Sequence, residues 1–239
     1  MEKENIVVLT GAGISAESGI STFRDSGGLW ENMDVMEVAS IEGWYKDQQK
    51  VLSFYNDRRR QLEFAEPNLG HLALADLEEK FNVCIITQNV DNLHERAGSS
   101  HIIHLHGELT KIRPDGADEP VVDIGYRDVD IGDLDEKGRQ MRPHIVWFGE
   151  PVPMMQPAAA HVAMCDLFLI VGTSLAVYPA AGLVDLVPVG KPVYLIDPYR
   201  PDFIFRPGFR FMQEKAASGV PKIVKKLLSG GIGELWEER

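Results

Sequence analysis

The chain has 239 residues, 44% of them hydrophobic, which is enough for one large or two small domains around a substantial core. A formal net charge of -12 argues against nonspecific binding to nucleic acid or to anionic membranes, and no run approaches the roughly 18 apolar residues that a spanning helix requires. Met1-Glu2-Lys3-Glu4-Asn5 shows neither the basic nor the apolar region of a secretion signal, so a cytoplasmic location is expected. Cys84 and Cys165 alone build neither a disulfide framework nor a four-thiolate zinc site, and both read as small buried hydrophobes.

The apolar run Ile6-Val7-Val8-Leu9 leads into Gly11-Ala12-Gly13-Ile14-Ser15-Ala16, predicted as a strand, a tight turn and a helix start whose amides approach a pyrophosphate. Alone, this glycine pattern also describes a packing turn. Ser15, Glu17, Phe23 and Arg24 extend past a dinucleotide fingerprint, and Asp25-Ser26-Gly27-Gly28-Leu29-Trp30 reads as a glycine-hinged lid over chemistry kept from water. Val51, Phe54, Tyr55, Arg58 and Leu62 recur at helical spacing, predicting one amphipathic helix from about Trp44 to Phe64. Tyr55 and Arg58, three apart, share a face beside its apolar stripe, a position that also suits an arginine snorkelling outward. A second helix is expected after Asn68, its N-cap, with Leu69, Leu72, Ala73 and Leu77 as its apolar stripe.

A buried strand, Val83 to Ile86, opens into Thr87-Gln88-Asn89-Val90-Asp91-Asn92-Leu93-His94. Gln88, Asn89 and Asp91, beyond a strand's carboxyl end, have the groups to grip a ribose and an amide, although Asn89 or Asp91 also serves as a helix N-cap. Ser100 to Gly107 holds three of the seven histidines, with His104 and His106 on one face of an alternating strand and His101 on the other. A metal site there lacks an acidic ligand within the run, and His106, at the strand's end, suits a general base because imidazole titrates near neutrality.

Between Asp115 and Glu136 nine acidic residues face one basic residue, Arg127, inside an inserted module running from Leu109 to Pro143. A solvated acidic face is its plain reading, and attraction of lysine-rich substrate segments is the functional one. Ile145 to Phe148 reads as a strand that either adds an extended peptide along its edge or simply ends in a turn at Pro151 and Pro153. A helix near Pro157 to Met164 precedes the strand Leu167 to Val171. Gly172-Thr173-Ser174 and a helix from about Pro179 then repeat the opening architecture and suit a second phosphate or ribose contact. Lys191 to Asp197 is the last clear strand, and Val220, Ile223, Val224, Leu227 and Leu228 predict a closing helix. Five or six buried strands alternating with helices give an α/β fold, a doubly wound parallel sheet.

Together G-A-G-I-S-A-E-S-G-I-S-T-F-R, T-Q-N-V-D-N-L-H, H-L-H-G, P-H-I-V-W-F-G-E and G-T-S-L-A-V-Y-P-A-A resemble the sirtuins, the NAD-dependent protein-lysine deacylases, over nearly the whole chain. The resemblance implies a Rossmann-like large domain, approximately residues 1–30, 83–108 and 144–239, with a small domain inserted at approximately 31–82 and 109–143. It places NAD phosphates on Gly11, Ala12, Gly13 and Ser15, with Phe23 and Arg24 near the reacting ribose. Gln88, Asn89 and Asp91 would hold the ribose and nicotinamide amide, Gly172, Thr173 and Ser174 would form the second nucleotide loop, and Ile20, Trp30, Asp197 and Ala216 complete the cofactor contacts. His106 would act as general base, with Asn89 also in the catalytic set. The implied products are free lysine, nicotinamide and O-acyl-ADP-ribose.

Val146, Trp147, Phe148, Gly149 and Glu150 match the segment that pairs with an acyl-lysine peptide, and Tyr178 joins the substrate contacts. Tyr55-x-x-Arg58 resembles the branch that prefers succinyl-, malonyl- or glutaryl-lysine, and a guanidinium beside a phenol suits a carboxylate. Two departures stand out. Leu109 to Pro143 has no cysteine where most members hold zinc on four, so no zinc is expected. Asp197 stands where the family usually has Asn, which disfavours a 2'-phosphate and so favours NAD over NADP. The partners implied are acylated lysines of proteins or peptides, with no nucleic acid and no membrane. A plain deacetylase, an ADP-ribosyl transferase, a non-catalytic NAD or ADP-ribose module, and a metallohydrolase on His101, His104 and His106 are the alternatives.

Overall fold

Continuous apolar runs become strands buried on both faces, while alternating runs become the strands of a smaller antiparallel sheet. The computed structural model describes residues 3–21, 29–30, 33–200 and 208–236. In chain order, β1 (Asn5–Thr10) precedes a hairpin of β2 (Leu29–Trp30) and β3 (Met33–Asp34), then α1 (Val35–Val38), α2 (Ile41–Lys46), α3 (Gln48–Phe64) and α4 (Leu69–Asp76). β4 (Asn82–Thr87), α5 (Leu93–Ala97) and β5 (Ile102–His104) follow, then β6 (Gly107–Pro114), β7 (Val122–Asp123) and β8 (Met141–Ile145). The chain continues through α6 (Met155–Val162), β9 (Leu167–Val171), β10 (Val193–Ile196), β11 (Phe209–Met212) and α7 (Ala216–Gly230).

Six strands form one parallel sheet in the order β11-β10-β9-β1-β4-β5. The chain moves outward from β1 through β4 to β5, then restarts on the other side at β9, so the order reverses between β1 and β9. That is where a doubly wound sheet leaves a crevice for ligand at the strands' carboxyl ends. Alternate residues feed two cores. Ile6, Val8, Ile85 and Leu169 meet α4 and α7 through Leu74, Val220, Ile223 and Leu227. On the opposite face Val7, Leu9, Ile86 and Ile170 meet Ala158 and Val162 of α6 and Leu183. Each such side chain fully removed from water contributes about 1.5–3 kcal/mol before entropy is counted.

A third core joins residues from both inserted stretches, among them Val35, Trp44, Leu52, Tyr55, Ile112, Ile124 and Val129, with Trp147 of the returning chain. β6 lies between β7 and β8 in an antiparallel sheet. Polar groups pin this region where the sequence has no cysteine. Asn56 exchanges both hydrogen bonds of its amide with the backbone of Val129, at 3.0 Å each. Arg59, fully buried, donates to the Leu109 carbonyl at 2.8 Å, and burial lowers its guanidinium to about 10. Arg142 makes two 2.8 Å hydrogen bonds to Glu150 and lies 3.5 Å from the Trp147 ring centroid. The acidic stretch has a local use as well: Asp123, Asp133 and Asp135 accept from backbone N–H groups of their own turns.

Several sequence expectations shift. Asp47 interrupts the helix predicted from Trp44, because its carboxylate caps α3 through the Lys50 N–H at 3.0 Å. Asn68 caps α4 as expected, but Leu69 and Leu72 are exposed and the buried face carries Ala73 and Leu74. The strand expected at Ile145 to Phe148 lies earlier, in β8, and the segment predicted as a helix from Pro179 is a 3-10 helix, Ala180–Leu186. No helix among the described residues is long and apolar enough to cross a membrane.

Candidate active site

The loops after β1 and β9 are packed against each other at the reversal of strand order. Gly11 N–H donates to the Val171 carbonyl at 3.0 Å and Gly13 N–H to the Gly172 carbonyl at 2.8 Å. A Cβ on Gly13 would stand 2.7 Å from both the Cα and the carbonyl oxygen of Gly172, and Gly172 itself has φ +63°. The glycines are therefore required by the contact between loops. In place of the predicted helix start, two 3-10 turns follow, Ala12–Ile14 and Ala16–Ser18. Gly11 and Gly13 spend their N–H groups on the neighbouring loop; those of Ala12 and Ala16, at the first position of each turn, bond nothing among the described residues and suit an anion.

Beneath this loop the Ser15 hydroxyl donates to Asp91 at 2.9 Å and accepts from the Asn89 amide at 3.2 Å, which also donates to the Gly11 carbonyl. Asp91 in turn accepts from the Leu93 N–H at 3.1 Å, so its ligand-side and capping readings coexist. Burial raises its carboxyl against the opposing pull of these hydrogen bonds. Gln88 bridges to Thr173 at 3.1 Å, tying the β4 loop to the β9 loop.

His106 places Nδ1 2.9 Å from the Gln88 carbonyl. A carbonyl only accepts, so Nδ1 carries the proton and Nε2 keeps its lone pair. Burial lowers its pKa, opposed by the Gln88 bond, leaving a neutral imidazole at pH 7. His104 has the opposite setting: burial would lower it, but Glu95, 2.7 Å from Nε2, raises it above the ordinary value. Its Nδ1 lies 3.3 Å from the Asn89 carbonyl. One face thus carries a neutral and a charge-favouring histidine, each holding one residue of the Gln88-Asn89 pair. His101 stacks edge-on with His161 at 4.8 Å instead, so the three histidines do not form one metal site.

Tyr55 is fully buried and its oxygen accepts from Trp147 Nε1 at 2.8 Å, with burial first among the causes that raise its phenol. Arg58 lies with its guanidinium carbon 4.8 Å from the Phe54 ring centroid and donates through Nε to Gln61 at 3.2 Å. Its Nη1 is buried with no hydrogen-bond partner among the described residues.

In the segment expected to meet a peptide, Val146 N–H donates to the His106 carbonyl and Phe148 bonds Ala39 and Ile41 in a parallel bridge. The Trp147 side chain is buried, and the Glu150 carboxylate turns inward to Arg142, Arg113 and the Trp147 N–H. The Val146 carbonyl and the Gly149 N–H bond nothing among the described residues. Ser174 and Tyr178 are exposed at the rim, the latter by 74%. Asp197, buried at the end of β10, accepts from the Tyr199 N–H at 2.8 Å, and Ala216 is buried at the start of α7. Ile20 is half-buried against the third core. Phe23, Arg24 and the Trp30 side chain lie outside the described residues.

Sequence reasoning missed the groups beneath the loop. His71 Nδ1 accepts from the Asn68 N–H, which leaves a protonated Nε2 facing Ser15 Oγ at 3.5 Å, and burial lowers its pKa to about 4. Thr10 links Thr87 and His94 in the same buried layer. Glu17, read with the nucleotide loop, instead accepts from the Ala217 N–H at the start of α7. The Asn68-x-x-His71 spacing, a capping box with an imidazole at its third position, was a usable signal for His71.

A doubly wound sheet with two glycine loops meeting at its reversal point, and titratable groups gathered beside them, defines a dinucleotide-binding protein with the makings of an active site. The family model described as Sir2 family matches residues 11–179. An NAD-dependent protein deacylase of Bacteroides thetaiotaomicron is 51% identical over 94% of this chain and 98% of its own. One of Helicobacter pylori, of the same description, is 51% identical over 97% of this chain and 99% of its own. A solved Sir2 homologue in complex with NAD superposes with a TM-score of 0.84 at 36% identity, covering 94% of this chain and 89% of its own. The chain belongs to the Sir2 family.

Proposed function

We propose that this Sir2-family chain, an NAD-dependent protein deacylase, removes succinyl and malonyl groups from lysine in preference to or alongside acetyl. The observation that carries the acyl preference is the Nη1 of Arg58, buried and without a hydrogen-bond partner among the described residues. A desolvated guanidinium nitrogen left without an acceptor is costly, and a carboxylate at the far end of an acyl chain satisfies it by a charge-assisted hydrogen bond. Tyr55, held as a neutral phenol by burial, is anchored to Trp147 one helical turn before Arg58.

The residues beside the glycine loops fit NAD by their chemistry: Ala12 and Ala16 offer N–H donors for phosphate, Ser15, Gln88, Asn89 and Asp91 offer polar groups for ribose and amide, and Asp197 offers an acceptor for the adenosine ribose. When bound, NAD supplies an electrophilic ribose carbon and nicotinamide as leaving group. His106 presents an unprotonated Nε2 to take a proton from a ribose hydroxyl, and Gln88 fixes the tautomer that leaves this nitrogen bare. Asn89 is fixed from both sides, by Gly11 and Ser15 through its amide and by His104 through its carbonyl. The peptide joins at the Val146 carbonyl and Gly149 N–H.

The large domain comprises approximately residues 1–30, 83–108 and 144–239, and the small domain approximately 31–82 and 109–143, with α4 of the latter packed on the large sheet's core. The mixed origin of the third core supports that division. With no cysteine in 109–143, Asn56, Arg59 and the Arg142–Glu150 pair do the stapling. The reaction takes place on acyl-lysine of proteins or peptides. A side-by-side assay of acetyl-, malonyl- and succinyl-lysine peptides with NAD tests the reading. The expected result is a higher kcat/KM for the two acidic acyl groups, and a strong preference for acetyl would overturn it.

A further inference from the structure

At the amino-terminal edge of the six-stranded sheet, Cys84, His101 and His161 converge from three different elements. Cys84 is the third residue of β4, His101 immediately precedes β5, and His161 lies in the last turn of α6. One ligand-capable atom of each, the thiol sulfur and a nitrogen from either ring, lies within 4.8 Å of the other two. The rings meet edge to face, 77° apart. None of the three side chains makes a hydrogen bond or ion pair among the described residues, and with Met164 they line a cleft of about 190 Å³ open to solvent.

Another group of similar compactness, Glu95, His104 and Glu108, differs in this respect. There His104 is already bonded to Glu95 and Glu108 to Lys111, so each of its members already has a protein partner.

We propose that Cys84, His101 and His161 form a binding site for a thiophilic transition-metal cation, with Zn2+ as the reference ion and a fourth position left to water or to the Met164 thioether. A thiolate and two imidazoles are the donor set such ions select, and tetrahedral zinc needs nitrogen and sulfur atoms about 2.0–2.3 Å from the metal. The two histidines that would draw in toward Cys84 from the present spacing stand at an exposed and a half-buried position. The site is separate from the small-domain zinc of other sirtuins and from the nucleotide loops. Cys84 and Gln88 are four strand residues apart, on the order of 13 Å. Occupancy would join α6 to β4 and to the start of β5, stiffening the sheet's outer half.

Tag-free full-length protein is incubated with Zn2+, desalted, and analysed for retained metal alongside its thermal midpoint. The wild type is expected to retain one equivalent and, at about a hundredfold excess of Zn2+ over Kd, to gain roughly 5–10 °C in Tm. His161→Ala, a half-buried helix-end change that leaves the sheet core untouched, and Cys84→Ser should each lose both effects, whereas His104→Ala should keep them. No retention by the wild type, equal retention by His161→Ala, or loss in His104→Ala alone would overturn the proposal. Should Cys84→Ser fail to fold, His161→Ala and His101→Ala carry the test.

Discussion

Glu150→Ala removes the carboxylate that satisfies Arg142, a buried charge of the third core. Arg142 is 1% exposed, and Glu150 supplies both of its 2.8 Å hydrogen bonds to a carboxylate. Glu150 also accepts from Arg113 at 3.1 Å and from the Trp147 N–H at 2.9 Å. Removing one partner of a buried pair leaves the other uncompensated, at a cost of about 3–5 kcal/mol. In a chain of this size each kcal/mol lowers Tm by roughly 2–4 °C, so the expected drop is roughly 6–20 °C. Thermal unfolding followed by circular dichroism at pH 7.5 measures it. The pH dependence has a definite sign. Burial alone would raise the Glu150 carboxyl, but the hydrogen bonds from Arg142 and Trp147 outweigh it and hold the pKa below 4.5. Its stabilisation is then fully present above the unfolded carboxylate value and is lost as pH falls through the lowered folded value. The wild type should therefore lose Tm in acid more steeply than Glu150→Ala. A drop under about 3 °C at pH 7.5, below what a broken buried pair costs, would refute the claim that this pair helps replace a metal staple.

His106→Ala should abolish nicotinamide release from NAD plus acyl-peptide, a loss of at least roughly a hundredfold, while the unfolding curve stays in place. In the wild type, kcat/KM should rise with pH to a plateau, with its midpoint below 6.5, because burial favours the neutral imidazole that accepts the proton. Gly13→Ala forces a Cβ to within 2.7 Å of Gly172 and should cost about 1–3 kcal/mol of stability together with NAD binding. Gly233→Ala, where a Cβ meets nothing within 4 Å, is the control, expected to stay within about 0.5 kcal/mol. His104→Phe removes the donor to the Asn89 carbonyl and should lower kcat/KM by roughly 10- to 100-fold through misplacement of Asn89. His104→Gln, able to donate to the same carbonyl, should recover most of it; no difference between the two variants would remove His104 from the positioning set.

The parallel sheet was legible because its strands are unbroken apolar runs that have no other use in a soluble fold, as in Leu167 to Val171. β11 escaped because Phe209-Arg210-Phe211-Met212 is short and carries a charge, and β6 because its alternation runs through Glu108, Lys111 and Arg113 beside the acidic stretch. The motif residues around the loops were legible by type and place, but their hydrogen bonds were not. Ser15 and Asp91 are 76 positions apart, and only the parallel register of β1 with β4 brings them together. Arg59 and Arg142 read as surface charges in any local window, and nothing nearby announces that Leu109 and Glu150 wait for them in the core. The exposure of Leu69 and Leu72 has the same origin: α4's face is chosen by α7, more than a hundred residues later, not by its own most apolar stripe.

The proposed acyl selectivity rests on one nitrogen, and the direct measurement is kcat/KM of Arg58→Met against matched succinyl- and acetyl-lysine peptides with NAD. A charge-assisted hydrogen bond to the acyl carboxylate is worth about 1.5–3 kcal/mol, so the succinyl-to-acetyl ratio should fall roughly 10- to 150-fold while deacetylation changes little. Equal loss on both peptides, or an unchanged ratio, would contradict the assignment of Arg58 as the group that reads the acyl chain.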